Sequence, residues 1–515
     1  MQRWWRERGA WTDESLVDRL LAAPARFGAD RVAVVDGGVR LTLGGLVERS
    51  GRVAAALHAR GVRPGDVVAY QLPNWWESVV LAWGILRLGA VASPVTPTLR
   101  EREVGFVLRC TGARIMVVPE RFRGHDHVAT VAATGFDGEV LVARGASGPA
   151  SFDALLREGE PPTVTVRADD PAVVLWTSGT TSDPKGVVHS HQGLRHEADS
   201  LVAGHDLRAD DRLLLPMPAT HVAGLTYGVL LPPCVGVPAV LMDVWDPGEG
   251  LALLAAERIT VMISTPVFLR GMVDHPRFAA TDVSSLRLFS LGGAGVAPSM
   301  VREGGEAFGC WCKRTYGSTE YPTLTTGRVG DDPELDATTD GRLIGEAELR
   351  IVDPATGRDV AEGEPGEIWA RGPEMAWGYL DPSLDAEAFV DGWFRTGDLA
   401  TFRDGHLRVI DRLKDIIIRG GENVSAGEVE SLLVAHPGVR DAAVVAVPDR
   451  LMGERVCAFV VPSGARPPTL EELAGYLATR GLARFKIPER LEVRDDLPRT
   501  ASGKVQKASL REEVR

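Results

Sequence analysis

A short apolar run that opens into a loop of small hydroxyl residues is the most restrictive feature of this sequence. The run covers Val173 to Trp176, and the loop extends to a lysine, Lys185. Backbone N–H groups and hydroxyls of such a loop can surround phosphate oxygens, and the lysine adds a positive charge. The spacing differs from that of a P-loop, which argues against a P-loop kinase or ATPase. The pattern therefore predicts a site for a nucleoside triphosphate.

Strand-like and helix-like segments alternate through the first half of the chain. Residues 32–35, 67–70 and 115–118 are predicted strands, and 45–61 and 76–88 are predicted helices. Such alternation is typical of mostly parallel sheets covered by helices.

Two later regions have a different pattern. Between about 340 and 410, short strand candidates separated by turn residues predict a small antiparallel unit. The last hundred residues indicate a compact α+β unit, with capping boxes that begin at Ser425 and Thr469.

We therefore expect an α/β fold in two domains. Residues 1–411 should form a large N-terminal domain of stacked βαβ sheets with the small β unit. Residues 412–515 should form a small, mobile α+β C-terminal domain. The boundary is placed at Asp411, where a charged stretch joins the two patterns.

Composition excludes several classes of protein. The net charge of −13 argues against non-specific binding to nucleic acid or to an anionic membrane. Five scattered cysteines fit a reducing compartment, and the N-terminus lacks the apolar core of a signal peptide, so a cytoplasmic location is expected. Residues 222–242 carry no charge, but their prolines and glycines favour a helix followed by a buried strand over a membrane span.

A second motif, residues 316–320, combines an aromatic ring with a carboxylate. Tyr316 could stack on a base, and Glu320 could hold Mg²⁺ through oxygen. Further short motifs follow in order along the chain. They lie at residues 292–294, 393–398, 411–416, 420–424, 428–430 and 498–504.

Taken together, these motifs resemble the adenylate-forming superfamily, which comprises acyl-CoA synthetases, peptide-synthetase adenylation domains and firefly luciferase. The resemblance extends from about residue 30 to the C-terminus and is closest to fatty-acid or alicyclic-acid CoA ligases. It implies an ATP-dependent, AMP- and pyrophosphate-forming ligase. A carboxylic acid first forms acyl-AMP, the C-terminal domain then rotates, and a thiol takes the acyl group.

The resemblance also implies roles for individual residues. Lys504, Glu320 and Thr180 should be catalytic, with Glu320 holding Mg²⁺ and Lys504 reaching the α-phosphate during adenylation. Lys414 should be the hinge, and Gly420 and Gly421 should line the channel for the CoA thiol. The implied ATP contacts are Thr177, Ser178, Gly179, Thr180, Thr181, Lys185, Gly293, Ala294, Tyr316, Gly317, Thr319, Asp398 and Arg412.

The implied acid pocket contains small and apolar residues and no fixed charge. Amino-acid-activating members place an Asp near the start of its first segment, and residues 216–224 contain none. We therefore expect a hydrophobic carboxylic acid, and the glycines suit a bulky one. The pocket residues are His221, Val222, Gly224, Phe268, Leu291, Gly292, Gly293 and Ser318.

Several alternatives stay open at this point. The acceptor is expected to be CoA, with an acyl carrier protein as the alternative. A luciferase-type oxygenase and a catalytically weak binding subunit are remoter hypotheses. Members of the family are often dimers, so a homodimer is also an open expectation. The histidines at 189, 191 and 196 are expected to be packed or solvated rather than metal ligands.

Two positions depart from the family pattern. Ser182 stands where glycine is usual, and a left-handed backbone there would carry about 1–2 kcal/mol of strain. Whether Ser182 weakens ATP binding is left open. Asp411 also replaces a common glycine, although some members carry Asp there.

Overall fold

A computed structural model of the protein has a nine-stranded, mostly parallel sheet at its centre. The structure describes residues 2–145, 147–157, 159–177, 184–500 and 503–514. Six adjacent parallel strands have most of their residues buried, as expected when helices cover both faces. In spatial order these strands are Trp311–Tyr316, Leu288–Leu291, Val261–Ser264, Leu213–Leu215, Ala239–Leu241 and Val32–Asp36. The antiparallel edge strands are Thr325–Thr326, Arg342–Leu343 and Val39–Thr42.

A second sheet of seven strands packs beside the first. Its parallel part is formed by strands early in the chain, and an antiparallel hairpin next to one edge strand carries the predicted phosphate loop. In spatial order its strands are Gly378–Tyr379, Lys185–Ser190, Pro171–Thr177, Val91–Pro94, Val67–Tyr70, Ile115–Pro119 and Glu139–Ala143. A separate two-stranded hairpin pairs Arg121–Phe122 with His125–Asp126.

Helices cover these sheets and enclose one large hydrophobic core that contains Tyr70 and Trp83. The α-helices up to the third sheet are Gln2–Glu7, Leu16–Phe27, Leu43–Ala59, Trp76–Arg87, Glu101–Thr111, His127–Ala133, His191–Gly204, Val222–Gly224, Leu231–Val235, Pro247–Ala256, Pro266–Val273, Pro298–Phe308 and Pro333–Thr338. A π-helical segment, Leu225–Leu230, joins two of them into one helix. Short 3₁₀ turns cover Phe152–Leu156 and Phe278–Ala280.

The third sheet is the predicted antiparallel unit, which is confirmed. Its turns match the turn residues of the sequence, and its core contains Tyr321 and Phe394. Its strands are Glu348–Val352, Gly366–Arg371, Trp393–Arg403, Phe389–Val390 and His406–Arg412. A 3₁₀ turn, Pro382–Leu384, and a short helix, Asp385–Ala388, lie beside it.

The C-terminal part has its own sheet and core, in agreement with the predicted α+β pattern. Its strands are Ile417–Arg419, Glu422–Val424, Val439–Asp449, Gly453–Pro462 and Arg490–Val493. Its helices are Ala426–Val434, Leu470–Thr479 and Lys507–Val514, with 3₁₀ turns at Leu413–Asp415 and Arg484–Lys486. The predicted boundary falls where the third sheet ends, and independent motion of the two parts stays a prediction.

One of the two predicted capping boxes is wrong. Thr469 forms the complete box with Glu472. Ser425 accepts a hydrogen bond from the Glu428 N–H, but the Glu428 side chain does not return it. That carboxylate binds the Lys486 ammonium at 2.6 Å instead, because a charged partner binds it more strongly than a neutral N–H does.

The uncharged segment 222–242 forms a helix with a π-helical centre and then a buried strand, as expected. Among the described residues, no helix is long and apolar enough to cross a membrane.

Asn74 joins the two large sheets through the hydrogen bonds of its side-chain amide. It follows a strand of the second sheet, and its NH₂ group donates to the carbonyls of Met217 at 2.7 Å and Met242 at 3.0 Å, with the Leu215 carbonyl at 3.3 Å; these carbonyls follow or end strands of the first. Its side-chain carbonyl accepts from the Ala219 N–H at 2.6 Å. The side chain is 4% exposed, so water cannot replace these partners.

We expect Asn74→Ala to destabilise the protein by about 3 kcal/mol, because it leaves buried carbonyls and an N–H unpaired. Chemical denaturation followed by tryptophan fluorescence measures the shift in midpoint. The matched control is Ser78→Ala, which removes one local bond to the Trp75 carbonyl from an equally buried site and should cost about 1 kcal/mol. Equal shifts for the two variants would show that Asn74 does not hold the sheets together.

Candidate active site

The predicted motifs meet at the carboxyl edge of the first sheet. Parallel strands end there at Leu215, Ser264, Leu291 and Tyr316. Open α/β sheets bind ligands at this edge, because the loops that follow adjacent strands converge there. The segments after these strands contain His221, Thr265, Gly292, Gly293, Ala294 and Glu320.

The hairpin of the phosphate loop brings its two ends together. Thr177 pairs with Lys185 across the antiparallel ladder. The predicted residues between them, Ser178, Gly179, Thr180, Thr181 and Ser182, lie outside the described residues.

Tyr379 connects this hairpin to Glu320, and sequence analysis missed it. The Lys185 ammonium lies 5.0 Å from the centre of the Tyr379 ring, over its face. The Tyr379 hydroxyl donates a 2.8 Å hydrogen bond to Glu320 Oε1. Tyr379 reaches this place because its strand pairs with the hairpin at Val187. This pairing joins residues almost 200 positions apart, so no local pattern indicated it.

Asp398 forms the centre of a second cluster. The Tyr316 hydroxyl donates to its Oδ2 at 2.7 Å, and Arg412 Nε lies 3.1 Å from its Oδ1. The Arg412 contact lacks hydrogen-bond geometry, so the buried Oδ1 keeps its capacity to accept. Burial and the Asp398 charge raise the pKa of Tyr316 well above its ordinary value, so the phenol stays neutral. A neutral phenol and a free carboxylate oxygen suit a nucleoside with hydroxyl donors.

Close backbone contacts shape the segment 316–320. Gly317 has no room for a side chain, since a Cβ would lie 2.0 Å from the Pro322 carbonyl oxygen. Ser318 closes the turn, because its hydroxyl accepts from the Tyr321 N–H at 3.1 Å. Buried His189 donates from Nε2 to the Thr319 carbonyl at 2.8 Å. Burial lowers the pKa of His189 to about 4, so the ring is neutral, and its burial shows that it is packed, as expected for this histidine.

A fully buried carboxylate, Glu374, supports the same segment from behind. It accepts hydrogen bonds from the Ser200 hydroxyl at 2.8 Å and the Tyr321 hydroxyl at 3.1 Å. Two residues further, the Ala376 N–H donates to the Glu320 carbonyl at 2.8 Å. Sequence analysis did not single out Glu374.

Lys504 lies near these groups, within reach of the charges of Arg412, Asp398 and Glu320, and its role in adenylation stays a prediction. Its Cε lies 3.9 Å from the Cβ position of Gly293. Burial, and after it the charge of Arg412, lowers the pKa of Lys504 to about 8. The carboxylates of Asp398 and Glu320 act in the opposite direction and favour the ammonium form.

His221 lies beside Lys504 as a neutral imidazole. Burial, together with the lysine charge, lowers the pKa of His221 to about 3. Its Nδ1 accepts from the Ala223 N–H at 3.4 Å, which leaves the ring proton on Nε2.

Most of the other predicted pocket residues are packed closely against other atoms of the protein. Val222 and Phe268 are buried in the main core, where Phe268 packs against Trp245 with ring centres 4.7 Å apart. Leu291 is buried in the core on the other side of the sheet. A Cβ at Gly224 would lie 1.9 Å from the Pro218 carbonyl oxygen, and one at Gly292 would lie 2.5 Å from Thr315. These two glycines allow close backbone packing and do not indicate room for a bulky acid.

The remaining predicted residues lie where the third sheet meets the C-terminal part. Lys414 lies in the 3₁₀ turn between the two sheets. Asp411 accepts from the Ser425 hydroxyl and the Gly427 N–H, both at 2.9 Å, and so caps a C-terminal helix.

Gly420 and Gly421, the predicted CoA-channel residues, form the turn between two C-terminal strands. Their φ angles are +59° and +88°, which lie in the left-handed region that favours glycine. A side chain at Gly421 would meet open space.

A cavity of about 670 Å³ lies away from this cluster, at the amino ends of strands in the second sheet. It is lined by three arginines, Arg60, Arg109 and Arg114, and by carboxylates such as Asp137 and Glu139, so its charge is mixed. Within the described part of the chain, no group of three or more His, Cys, Asp or Glu side chains could hold a metal by itself.

Comparison with known proteins agrees with this geometry. A model of the AMP-binding enzyme family matches residues 21–380, and a model of the AMP-binding enzyme C-terminal domain matches residues 428–504. The chain belongs to the AMP-binding enzyme family. The adenylate-forming superfamily that its motifs indicated is thereby confirmed.

Individual relatives cover almost the whole chain. It is 34% identical to the medium-chain fatty-acid–CoA ligase of Escherichia coli (strain K12), over 99% of this chain and 92% of that protein. It is 36% identical to a feruloyl-CoA synthase of an Amycolatopsis species, over 95% of this chain and 96% of that protein.

A solved structure matches the fold equally well. The anthranilate CoA ligase AuaEII in complex with anthranoyl-AMP gives a TM-score of 0.90 at 25% identity, over 98% of both chains. The predicted α/β fold, with its large N-terminal and small C-terminal parts, and the predicted class of ATP-dependent acid–CoA ligase are confirmed.

We expect the Lys504 ammonium to titrate near pH 8 in the ligand-free enzyme. NMR of isotope-labelled lysine measures this, with the signal assigned by its loss in Lys504→Ala. Glu320→Gln should lower the pKa of Lys504, because it removes a charge that favours the ammonium. Arg412→Gln should raise it for the opposite reason. The signal of Lys486, which pairs with Glu428, should not move in either variant. A Lys504 pKa at the ordinary value of about 10.4 would contradict this placement.

Proposed function

We propose that this enzyme activates a hydrophobic carboxylic acid as acyl-AMP and transfers the acyl group to CoA. What supports the proposal is the position of Lys504, whose Cε lies 3.9 Å from the Cβ position of Gly293 and which lies near the charges of Asp398, Glu320 and Arg412. A cation among groups proposed to bind the nucleotide suits a reaction in which negative charge develops on a phosphate, and its later departure is part of the proposal.

In the first step, a carboxylate oxygen of the acid attacks the α-phosphorus of ATP, and the bond to the β-phosphate breaks to release pyrophosphate. Asp398 Oδ1 is free to accept from the ribose hydroxyls, and Tyr316 packs against the adenine. Lys504 stabilises the charge on the α-phosphate in the transition state, a contact typically worth about 10²–10³ in rate. Thr177 and Lys185 bind the outer phosphates.

Glu320 suits the Mg²⁺ that such enzymes use. Its Oε1 is oriented by Tyr379, and no described residue donates a hydrogen bond to its Oε2. One carboxylate together with substrate phosphates is a usual environment for this ion. When bound there, Mg²⁺ would neutralise phosphate charge.

In the second step, the CoA thiolate attacks the acyl carbon, the bond to AMP breaks, and the thiol proton passes to solvent. Rotation at Lys414 would withdraw Lys504 and bring Gly420 and Gly421 to the site. The open space beside Gly421 supports close approach of an extended thiol arm. A carrier-protein thiol would use the same chemistry. A homodimer and a cytoplasmic location stay predictions.

The proposed substrate is a hydrophobic carboxylic acid, either aliphatic or aryl. The relatives act, by their names, on medium-chain fatty acids and on ferulate. Residues 216–224 offer no carboxylate for a substrate amine. Neutral His221 adds no charge to the pocket. The pathway class is therefore fatty-acid or natural-product metabolism.

ATP–pyrophosphate exchange over fatty, aryl, cyclohexyl, polycyclic and amino acids tests the function. We expect exchange with one apolar class and acyl-CoA by mass spectrometry when CoA is added. Lys504→Ala should lower exchange about 10²–10³-fold, whereas Lys486→Ala, a lysine of the same C-terminal part, should not. Exchange without acyl-CoA would favour the carrier-protein acceptor, and unchanged exchange in Lys504→Ala would refute the mechanism.

Magnesium dependence tests the role of Glu320. Tyr379→Phe removes the hydrogen bond that orients Glu320 but keeps the ring, so the half-saturating Mg²⁺ concentration should rise about tenfold. Tyr476→Phe is the control, since that hydroxyl donates to the Ala435 carbonyl in the C-terminal part. If both variants require as much Mg²⁺ as the parent enzyme, Tyr379 does not position a metal ligand.

A further inference from the structure

The hairpin that carries Lys504 makes a close contact with the N-terminal part at Gly503. Arg499 and Val505 form a β-bridge, and the Thr500 N–H donates to the Lys504 carbonyl at 2.8 Å. The Gly503 N–H donates to the Thr500 carbonyl at 2.9 Å. These bonds close a tight turn, so the position of Gly503 determines the position of Lys504.

Gly503 fits against Thr265 and Val267 at the start of a helix, Pro266–Val273. Its φ is +85°, and a Cβ at this position would lie 2.7 Å from Val267 Cγ1 and 3.0 Å from Thr265 Oγ1. A 2.7 Å separation is far below van der Waals contact. The backbone conformation therefore favours glycine, and the available space excludes a side chain.

Thr265 does not behave as an ordinary helix cap. It occupies the N-cap position, yet its hydroxyl does not bind the helix N–H groups as a capping threonine does. The residue is 3% exposed, and its Oγ1 has no hydrogen-bond partner among the described residues. A buried, unpaired hydroxyl is unfavourable. Helix capping therefore does not explain why this hydroxyl is oriented toward the hairpin.

The other branch of Thr265 faces the glycine loop of the first sheet. Its Cγ2 lies 3.4 Å from the Cβ position of Gly293, next to Lys504 Cε. Thr265 thus lies between the hairpin turn and the loop beside which the lysine extends. A shift of the turn against Thr265 would move Lys504 relative to Asp398 and Glu320.

We infer that Thr265 and Val267 form a docking seat for Gly503, which holds Lys504 in place for adenylation and is vacated for thioester formation. The inference rests on the proposed function and makes both seat residues positioning residues, since they act through Lys504. The seat should affect the first half-reaction alone, because Lys504 is not needed once acyl-AMP has formed.

Separate assays of the two half-reactions test this. Gly503→Ala should lower the kcat of ATP–pyrophosphate exchange about 10²-fold with little change in KM for ATP, because a misplacement of about 1 Å has this effect. Thioester formation from preformed acyl-AMP and CoA should keep the parent rate. Equal losses in both half-reactions would contradict the inference that Thr265 and Val267 form a seat for Gly503.

Three further variants separate the seat from local strain. Gly481→Ala places alanine at a φ of +80° in the same part of the chain, with open space around it, and should leave both half-reactions unchanged. Val267→Ala combined with Gly503→Ala removes the 2.7 Å contact and should restore exchange at least about tenfold over Gly503→Ala. Val267→Phe blocks the seat without altering the hairpin and should reproduce the selective loss.

The outcomes also distinguish the seat from the function itself. Exchange by the parent enzyme, lost in Lys504→Ala, establishes adenylation independently of Thr265 and Val267. If that holds and Val267→Ala fails to rescue Gly503→Ala, backbone strain explains the loss and the seat is wrong. A Val267→Phe variant that keeps full exchange would overturn it as well.

Discussion

The arrangement of the site depends on the electrostatic interaction of the Lys504 ammonium with the charged groups around it. Burial and Arg412 disfavour its ammonium form, while Asp398 and Glu320 favour it, and the balance is a pKa of about 8. Asp398 and Arg412 belong to the third sheet, Glu320 follows a strand of the first, and the lysine arrives on a C-terminal hairpin. In the proposed function ATP would add negative charge to the same place, so its binding would strengthen the hold on this lysine and product departure would weaken it.

Residues outside the recognisable motifs keep this balance in place. Tyr379 orients the Glu320 carboxylate, and His189 and Glu374 bind the segment around it. Asp398 is likewise held by the Tyr316 hydroxyl. The motif residues supply the charged side chains, and their neighbours determine how those side chains are oriented.

Local sequence patterns predicted most of the fold, whereas the membership of the site came from the family resemblance and stays a prediction. The strand before the phosphate loop, the antiparallel unit and the Thr469 capping box depend on residues close in the chain, and all three are present. The capping box at Ser425 failed because Glu428 found a charged partner 58 residues away. Tyr379 was missed for the same reason, since strand pairing across the chain brings it to Lys185.

The sequence by itself determined the class of chemistry, because a hydroxyl-rich loop, a carboxylate and a terminal lysine are chemical groups that keep their nature in any fold. Only the tertiary structure decided what the glycines do. Gly224 and Gly292 fit against neighbouring backbone and open no pocket, whereas Gly503 fits against Thr265 and Val267. A missing side chain looks the same at every glycine in a sequence, and the atoms that occupy its place come from distant segments.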